Sequence, residues 1–184
     1  MDITPTEISD VVEVVPKRFG DDRGWFSEVF KSEVLAGAGI HIEFVQDNES
    51  FSATPGTLRG LHFQLPPFAQ DKLVRVINGS VLDVAVDIRR GSPTFGQHVT
   101  RVLTSDVGNQ LLVPAGFAHG FLTLVADVQV AYKVSAPYAP ETERAIRWDD
   151  PEIAIDWPDV DGGTPVLSDK DAIAPLLADQ PDLF

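Results

Sequence analysis

The stretch that decides the fold reads Gly108-Asn-Gln-Leu-Leu-Val-Pro114-Ala-Gly116-Phe-Ala-His119. It joins a short apolar run of strand character to a proline–glycine turn, and a histidine follows the turn. Similar runs rich in Val, Ile and Leu lie on both sides of it, and Asn78-Gly79 between two of them is suited to a tight hairpin turn. Several runs are apolar at consecutive positions, which is typical of strands covered on both faces. The predicted strands span residues 57–64, 72–77, 81–88, 98–103, 110–113, 120–125 and 128–135.

Signals for helices are few. Residues 31–38 predict one short helix, and a second is predicted to begin at Ser168, with Asp171 three residues further on. The chain from Asp156 onward is rich in Pro, Gly and Asp, so we expect it to wrap the surface without regular structure. Many short strands with few helices predict an all-β jelly-roll barrel or sandwich with short helical trim, in a single domain over residues 1–184.

The charge balance bears on the partners. The chain has 28 acidic and 14 basic residues and a formal charge of −14, which disfavours a nucleic acid but leaves room for a small anion in a local basic cleft. The absence of cysteine excludes disulfides, thiolate metal sites and a cysteine nucleophile. Residues 1–15 lack a signal-peptide pattern, and the uncharged stretch 107–126 is broken by glycine and proline. We therefore expect a cytoplasmic protein with a small-molecule partner and no membrane contact.

The opening stretch has the spacing G-x5-P-x-G-x2-H, which resembles the second sequence motif of the cupin superfamily. The first cupin motif supplies two histidines and a glutamate that bind a metal together with the later histidine. Here His62 follows Gly56 at the right distance, but Gln64 stands in place of the second histidine and Lys72 about where the glutamate is expected. A divalent ion prefers neutral imidazoles and carboxylates to an ammonium group. The resemblance thus implies a barrel that has lost its metal, and argues against a dioxygenase or another metallo-cupin.

A lysine on a barrel strand has two interpretations. Lys72 could extend from the strand end to solvent, or it could face an oxyanion and stabilise its developing charge. Two of the four histidines, His62 and His119, are expected near it, together with Arg59. This combination favours a basic, histidine-containing site in the barrel mouth.

The segment Leu58-Arg59-Gly60-Leu61-His62-Phe63-Gln64 resembles the signature of the dTDP-4-dehydrorhamnose 3,5-epimerases. Other matches follow the family's order from about Val14 to Leu177, nearly the whole chain. They are Phe19-Gly-Asp-Asp-Arg23-Gly, Phe44-Val-Gln46-Asp-Asn48, Lys72-Leu-Val-Arg, Val84-Ala-Val-Asp-Ile-Arg, Gly91-Ser-Pro-Thr-Phe-Gly, Pro114-Ala-Gly-Phe-Ala-His119-Gly-Phe, Tyr132-Lys-Val, Trp148-Asp-Asp-Pro, Asp156-Trp-Pro and Leu167-Ser-Asp-Lys170-Asp171.

The resemblance implies an isomerase that inverts C3 and C5 of dTDP-4-dehydro-6-deoxy-D-glucose, giving dTDP-4-dehydro-L-rhamnose without a metal or another cofactor. It makes His62 the general base, Asp171 its orienting partner, and Tyr132 the acid on the opposite face of the sugar. Lys72 and His119 would lie by the keto and hydroxyl oxygens. The positions implied for nucleotide and sugar contacts are Arg23, Glu28, Gln46, Asn48, Arg59, Glu143 and Lys170.

The resemblance also implies a homodimer, since in this family Arg23 and its neighbours can reach the partner subunit's site. Two residues depart from the family pattern. Asp71 replaces a commoner small residue, and its carboxylate is expected to lower the effective charge of Lys72 on the substrate. Trp25 stands where a phenylalanine or leucine is usual.

From the residues alone, other interpretations stay open. Asp171 could be the acid of a capping box with Ser168, and Tyr132 a half-buried barrel aromatic. Arg23 and Arg59 could be surface charges. A mono-epimerase acting at C3 or C5 alone would use the same catalytic residues, and a catalytically silent cupin would only bind a nucleotide sugar.

Overall fold

The computed structural model describes all 184 residues, and most of the regular structure is β-strand. Two short α-helices and two 3₁₀ turns, Pro140–Thr142 and Leu177–Asp179, complete it. The strands are β1 (Asp2–Pro5), β2 (Val12–Val15), β3 (Arg18–Asp21), β4 (Gly24–Ser27), β5 (Gln46–Ser52), β6 (Leu58–Gln64), β7 (Lys72–Asn78), β8 (Ser80–Asp87), β9 (His98–Thr104), β10 (Gln110–Val113), β11 (Phe117–Thr123), β12 (Val128–Val134) and β13 (Glu143–Ala145); the helices are α1 (Ser32–Gly37) and α2 (Asp169–Ala172).

Two antiparallel sheets pack face to face. The six-stranded sheet has the order β1-β2-β10-β7-β12-β5, and the five-stranded sheet has the order β13-β6-β11-β8-β9. Strands β3 and β4 form a separate hairpin. The all-β class predicted from the sequence is therefore confirmed. No helix in the structure has the length and apolar composition needed to cross a membrane.

Three apolar clusters cover the strands on both faces of the sheets. The largest lies between the sheets and joins Val74 and Val130 of one sheet to Ala85 and Phe121 of the other. A second covers the outer face of the five-stranded sheet with the C-terminal chain, whose Leu177 belongs to the same buried cluster as Val84 and Ala118. The third covers the outer face of the six-stranded sheet with α1 and the chain beside it. Both faces of each sheet are thus partly buried, as the runs of consecutive apolar residues predict.

The prediction of a β-hairpin at Asn78-Gly79 is wrong. Gly79 makes a turn with a φ of 86°, but β7 and β8 belong to different sheets, so this turn carries the chain from one sheet into the other. Asn78-Gly79 does form a tight turn, but a turn does not determine which strands pair. Strand β7 pairs instead with β10 and β12, and β8 pairs with β9 and β11.

The other predicted elements fall close to the observed ones. The strand predicted at 120–125 begins earlier, at Phe117, directly after the Pro114–Gly116 turn. Helix α2 follows Ser168, whose hydroxyl caps it by accepting from the Asp171 amide at 3.3 Å. The chain after Asp156 is otherwise mostly irregular, as expected.

Candidate active site

One end of the inter-sheet core opens into a cavity of about 460 Å³. Its walls come from both sheets and from the C-terminal chain around α2. A neighbouring cavity of about 300 Å³ shares His62, Lys72 and Tyr132 with it, and adds Gln46 and Asn48. The predicted site residues that line the larger cavity are Arg59, His62, Lys72, His119, Tyr132, Glu143, Lys170 and Asp171.

A close approach of two glycines places the two histidines side by side. Strands β6 and β11 pair so that His62 lies opposite His119. A Cβ on Gly60 would lie 2.5 Å from the Cα of Gly120, which is too close for two non-bonded carbon atoms, and Gly60 also has a φ of 131°. Only glycine fits this position of the Leu-Arg-Gly-Leu-His signature, because it supplies both the space and the conformation.

His62 is paired with an aspartate from the C-terminal chain. Its Nε2 lies 2.5 Å from Oδ1 of Asp171, whose carboxylate is almost fully buried. Burial is the largest single influence on the pKa of Asp171 and would raise it, but the bond and charge of His62, the bond to Ser168 and the charge of Lys170 together outweigh it and hold that pKa below its usual value. An ionised carboxylate on one ring nitrogen orients the imidazole and leaves the other nitrogen for chemistry. The capping role also holds, through the amide of Asp171, so its backbone and side chain serve different partners.

A second histidine–aspartate pair lies deeper. Nε2 of His119 is 3.0 Å from both carboxylate oxygens of Asp83, which is fully buried on β8. The sequence reasoning missed Asp83. The signal was present, because Asp83 is a single charge in the otherwise apolar run Val81–Val86.

Lys72 lies in the cavity wall with little solvent contact. The residue is 8% exposed, and its ammonium group has one protein acceptor, the carbonyl of His62 at 3.3 Å. Burial lowers the pKa of Lys72 to about 8, against the opposing charges of Asp83 and Glu143. The side chain therefore does not extend to solvent from the strand end. It presents a poorly compensated donor to the cavity, as an oxyanion site requires.

Tyr132 reaches the cavity from the opposite sheet. It lies on β12 of the six-stranded sheet, whereas His62 lies on β6 of the five-stranded sheet. Burial raises the pKa of Tyr132, so its hydroxyl is protonated at neutral pH and can donate a proton.

A polar cluster closes the outer rim. The ammonium of Lys170 lies 3.0 Å from both carboxylate oxygens of Glu143, and the Tyr138 hydroxyl donates to the same carboxylate at 3.1 Å. Tyr138 lines both cavities and was missed, because nothing in its local sequence distinguishes it from a surface tyrosine. The backbone amide of Tyr138 donates to Gln46, whose own amide donates to Asn48 at 2.6 Å.

The side chain of Gln64 has a structural task. Its amide donates to the carbonyls of Phe68 and Pro137, and its oxygen accepts from the amide of Ala139. All of its polar atoms are thus engaged by backbone groups. The lysine at position 72 and this committed amide do not fit the ligand set of a metallo-cupin.

The expected effect of Asp71 on Lys72 is not seen. The Asp71 carboxylate accepts from the Ala115 amide and from the Ser135 hydroxyl, and the charges that act on Lys72 are those of Asp83 and Glu143. Successive side chains of a strand point to opposite faces, which directs Asp71 away from the cavity.

Two predicted site residues lie outside both cavities. Arg23 is at the tip of the β3–β4 hairpin, where its guanidinium bonds to Asp21, and Glu28 directly follows the hairpin. Within one chain they are not brought to the site.

The arrangement can move protons on both sides of a bound carbonyl compound. His62 can accept a proton, Tyr132 can donate one from the opposite wall, and Lys72 with His119 can stabilise negative charge between them.

Comparison with known proteins agrees with this chemistry. A family model described as dTDP-4-dehydrorhamnose 3,5-epimerase matches residues 5–179. The chain belongs to the dTDP-4-dehydrorhamnose 3,5-epimerase family. It is 53% identical over 177 residues to the dTDP-4-dehydrorhamnose 3,5-epimerase of Sinorhizobium fredii, covering 96% of this chain and 90% of that protein.

Solved structures share the fold closely. The dTDP-6-deoxy-D-glucose-3,5-epimerase of Legionella pneumophila, in complex with dTDP-4-keto-L-rhamnose, has a TM-score of 0.91 and 47% identity over 96% of this chain and 93% of that chain. ChmJ, a 3′-monoepimerase from Streptomyces bikiniensis in complex with dTDP-quinovose, has a TM-score of 0.87 and 35% identity over 95% and 87% of the two chains. The cupin-type jelly roll expected from the sequence is thereby confirmed, and this fold serves both double and single epimerases.

Proposed function

We propose that this protein is a dTDP-4-dehydrorhamnose 3,5-epimerase. The observation that carries the proposal is the pair of proton-transfer groups on facing sheets, His62 held by Asp171 on one and Tyr132 on the other, with Lys72 of β7 lining the same cavity. The names of the relatives support the substrate class, a dTDP-linked 4-keto-6-deoxy sugar.

The first step is removal of a proton from the carbon beside the ketone. His62 takes the proton, and the electron pair of the C–H bond moves into a new carbon–carbon double bond while the ketone oxygen becomes an oxyanion. A positioned general base contributes about 10²- to 10⁴-fold to such a step. Asp171 stabilises the imidazolium that results, because an adjacent carboxylate favours the charged ring.

The oxyanion is stabilised by Lys72 and His119. The buried ammonium of Lys72 has only one long hydrogen bond to the protein, so it is free to donate to the ligand. Asp83 fixes the ring of His119 through its Nε2, and its charge also acts on Lys72. A preorganised donor in a site that excludes water is worth about 3 kcal/mol of transition-state stabilisation.

Inversion is completed when Tyr132 donates its proton to the carbanion carbon from the other face. The oxyanion returns to the ketone, and the configuration at that carbon is reversed. His62 then releases the proton it removed and Tyr132 takes one up again, both by exchange with solvent, so that the same pair can act at C3 and at C5 and convert the D-configured sugar to the L-configured product. No redox step is involved, because the proton removed is replaced by another proton.

The proposal is tested by incubating the protein with dTDP-4-dehydro-6-deoxy-D-glucose in D₂O and following C3 and C5 by NMR. Deuterium at both carbons with an L-configured product is the expected result. Label at one carbon only would make the protein a mono-epimerase, like ChmJ of Streptomyces bikiniensis. Binding without label at either carbon would make it a silent nucleotide-sugar binder.

We also propose that the protein acts as a homodimer in which the β3–β4 hairpin of one subunit completes the site of the other. The hairpin exposes Phe19, Trp25 and Phe26 at 53%, 59% and 66%, an apolar group that a subunit contact would cover. It also carries Arg23, which lies outside the cavities of its own chain.

Subunit complementation tests this assembly. The Arg23→Ala and His62→Ala variants are each expected to be inactive, but a mixed dimer would hold one complete site, so an equilibrated equal mixture should recover about a quarter of the wild-type activity. No recovery, in a mixture shown by mass to contain mixed dimers, would place Arg23 in its own chain's site or outside the site altogether.

A further inference from the structure

Asp71 is the centre of a dense hydrogen-bond group behind the cavity. One carboxylate oxygen accepts from the Ala115 amide at 3.0 Å, and the other accepts from the Ser135 hydroxyl at 2.7 Å. The backbone of Asp71 forms two more bonds with Ser135, from its amide to the hydroxyl oxygen at 2.8 Å and from the Ser135 amide to its carbonyl at 3.1 Å. Four hydrogen bonds thus meet on one half-buried aspartate.

These bonds join the three strands that carry Lys72, His119 and Tyr132. Asp71 directly precedes Lys72, at the start of β7. Ala115 lies in the turn that leads into β11, four residues before His119, and Ser135 follows β12, three residues after Tyr132. The strand pairing continues from this point, because Lys72 lies opposite Val113 on one side and Val134 on the other.

We propose that Asp71 is a positioning residue that sets the relative places of Lys72, His119 and Tyr132. The β ladder fixes the register of β7, β10 and β12, but β11 belongs to the other sheet and is reached only through the Pro114–Gly116 turn. The Asp71 carboxylate is the group that ties this turn to the end of β12. The inference rests on the proposed function, since it assigns these three side chains to one reaction.

The test compares Asp71→Ala with Asp71→Asn and with a control variant at a distance. An asparagine keeps an oxygen that can accept from Ala115, whereas alanine removes both acceptors. Asn109→Ala is the control, because Asn109 is buried at the opposite end of β10 and bonds Thr104, Val102 and Glu13 far from the cavity. Loss of these bonds is expected to lower the melting temperature, and Asn109 lines neither cavity.

We expect Asp71→Ala to lower kcat by about 10- to 100-fold with KM changed less than about threefold, because misplacement by about 1 Å costs that much in rate but little in binding. Deuterium exchange without inversion should rise relative to inversion, since Tyr132 is displaced from the face opposite His62. Asp71→Asn should restore most of kcat and most of the wild-type ratio of exchange to inversion. Asn109→Ala should change neither quantity, even where its melting temperature falls as far as that of Asp71→Ala.

An unchanged kcat and exchange-to-inversion ratio in Asp71→Ala would overturn the inference, as would the same losses in Asn109→Ala. If the wild-type protein run alongside does not epimerise, the proposed function fails, and crystal structures of the two Asp71 variants then decide the inference by themselves. A displacement of Lys72 or Tyr132 relative to His62 in Asp71→Ala alone supports it, and superimposable sites contradict it.

Discussion

The two histidine–aspartate pairs of the cavity are built in different ways. His119 and Asp83 both lie on adjacent strands of the five-stranded sheet, 36 residues apart, and their side chains are 8% and 0% exposed. His62 is on the same sheet, but its partner Asp171 comes from the C-terminal chain, 109 residues away, and the His62 side chain is 24% exposed. One pair is part of the barrel interior, and the other closes over its mouth.

This difference separates two tasks. A base must meet a carbon atom of the substrate and exchange its proton with solvent between turnovers, which requires an accessible ring. Groups that stabilise an oxyanion work best when they are fixed and poorly hydrated, because their charge is then least screened. The mouth pair suits the first task and the interior pair, together with Lys72, suits the second.

The largest expected effect comes from removing the base at the mouth. His62→Ala should lower kcat by about 10²- to 10⁴-fold, the contribution of a positioned general base. The free energy of unfolding should change by about 1 kcal/mol or less, because water can reach the vacated position. Steady-state kinetics and denaturant unfolding measure the two quantities. Retained activity in a folded His62→Ala protein would remove His62 from the mechanism.

The next effect concerns the buried cation beside the interior pair. Lys72→Met should lower kcat by about 10²- to 10³-fold, as loss of an oxyanion donor does. The same change should stabilise the fold, because depression of the Lys72 pKa from 10.5 to about 8 corresponds to a cost of about 3 kcal/mol for holding the charge. A gain of about 1–3 kcal/mol in unfolding free energy is expected. A loss of both activity and stability would show that Lys72 serves the fold.

Substitution of the two aspartates should have different effects on stability and on kcat. The Asp83 carboxylate is fully buried and both of its oxygens bond to His119, so we expect Asp83→Asn to lower the free energy of unfolding by about 2–4 kcal/mol. Asp171→Asn should cost about 1 kcal/mol of stability, because its partner is more exposed, but should lower kcat about tenfold or more through the orientation of His62. Equal losses of stability in the two variants would contradict the division of tasks.

The smallest effect is a pH dependence. The role proposed for Lys72 requires its charge, so kcat/KM, which reports the pKa values of the free enzyme, should fall as the pH rises through about 8. The free energy of unfolding should rise with pH between about pH 8 and the unfolded pKa of 10.5. Over this range Lys72 still binds a proton in the unfolded chain but has lost it in the folded protein. Lys72→Met should lose this rise in stability. A kcat/KM that is constant from pH 7 to 9.5 would contradict the role proposed for Lys72.

Much of the site was predictable because its motifs are local. His62, Lys72 and His119 sit in short stretches whose glycines and prolines have a structural reason, as the contact between Gly60 and Gly120 shows. The contact between Asp83 and His119 depends on the register of β11 against β8, in which Phe121 lies opposite Asp83 and His119 opposite Ala85. Register between distant strands is set by packing of the whole barrel and is not visible in a local pattern.

The mistaken hairpin has the same origin. Asn78-Gly79 does turn the chain tightly, but the partners of β7 and β8 are chosen by burial against both sheets. A turn signal describes two residues, whereas strand pairing describes the fold.

The most direct test of the central claim is the behaviour of Tyr132→Phe in D₂O with dTDP-4-dehydro-6-deoxy-D-glucose. If His62 removes the proton and Tyr132 returns it from the opposite sheet, the variant should exchange the hydrogens at C3 and C5 for deuterium while the sugar keeps its D configuration. NMR reports exchange and configuration in the same sample. Full inversion in Tyr132→Phe would assign the acid to another residue and contradict the two-sided mechanism.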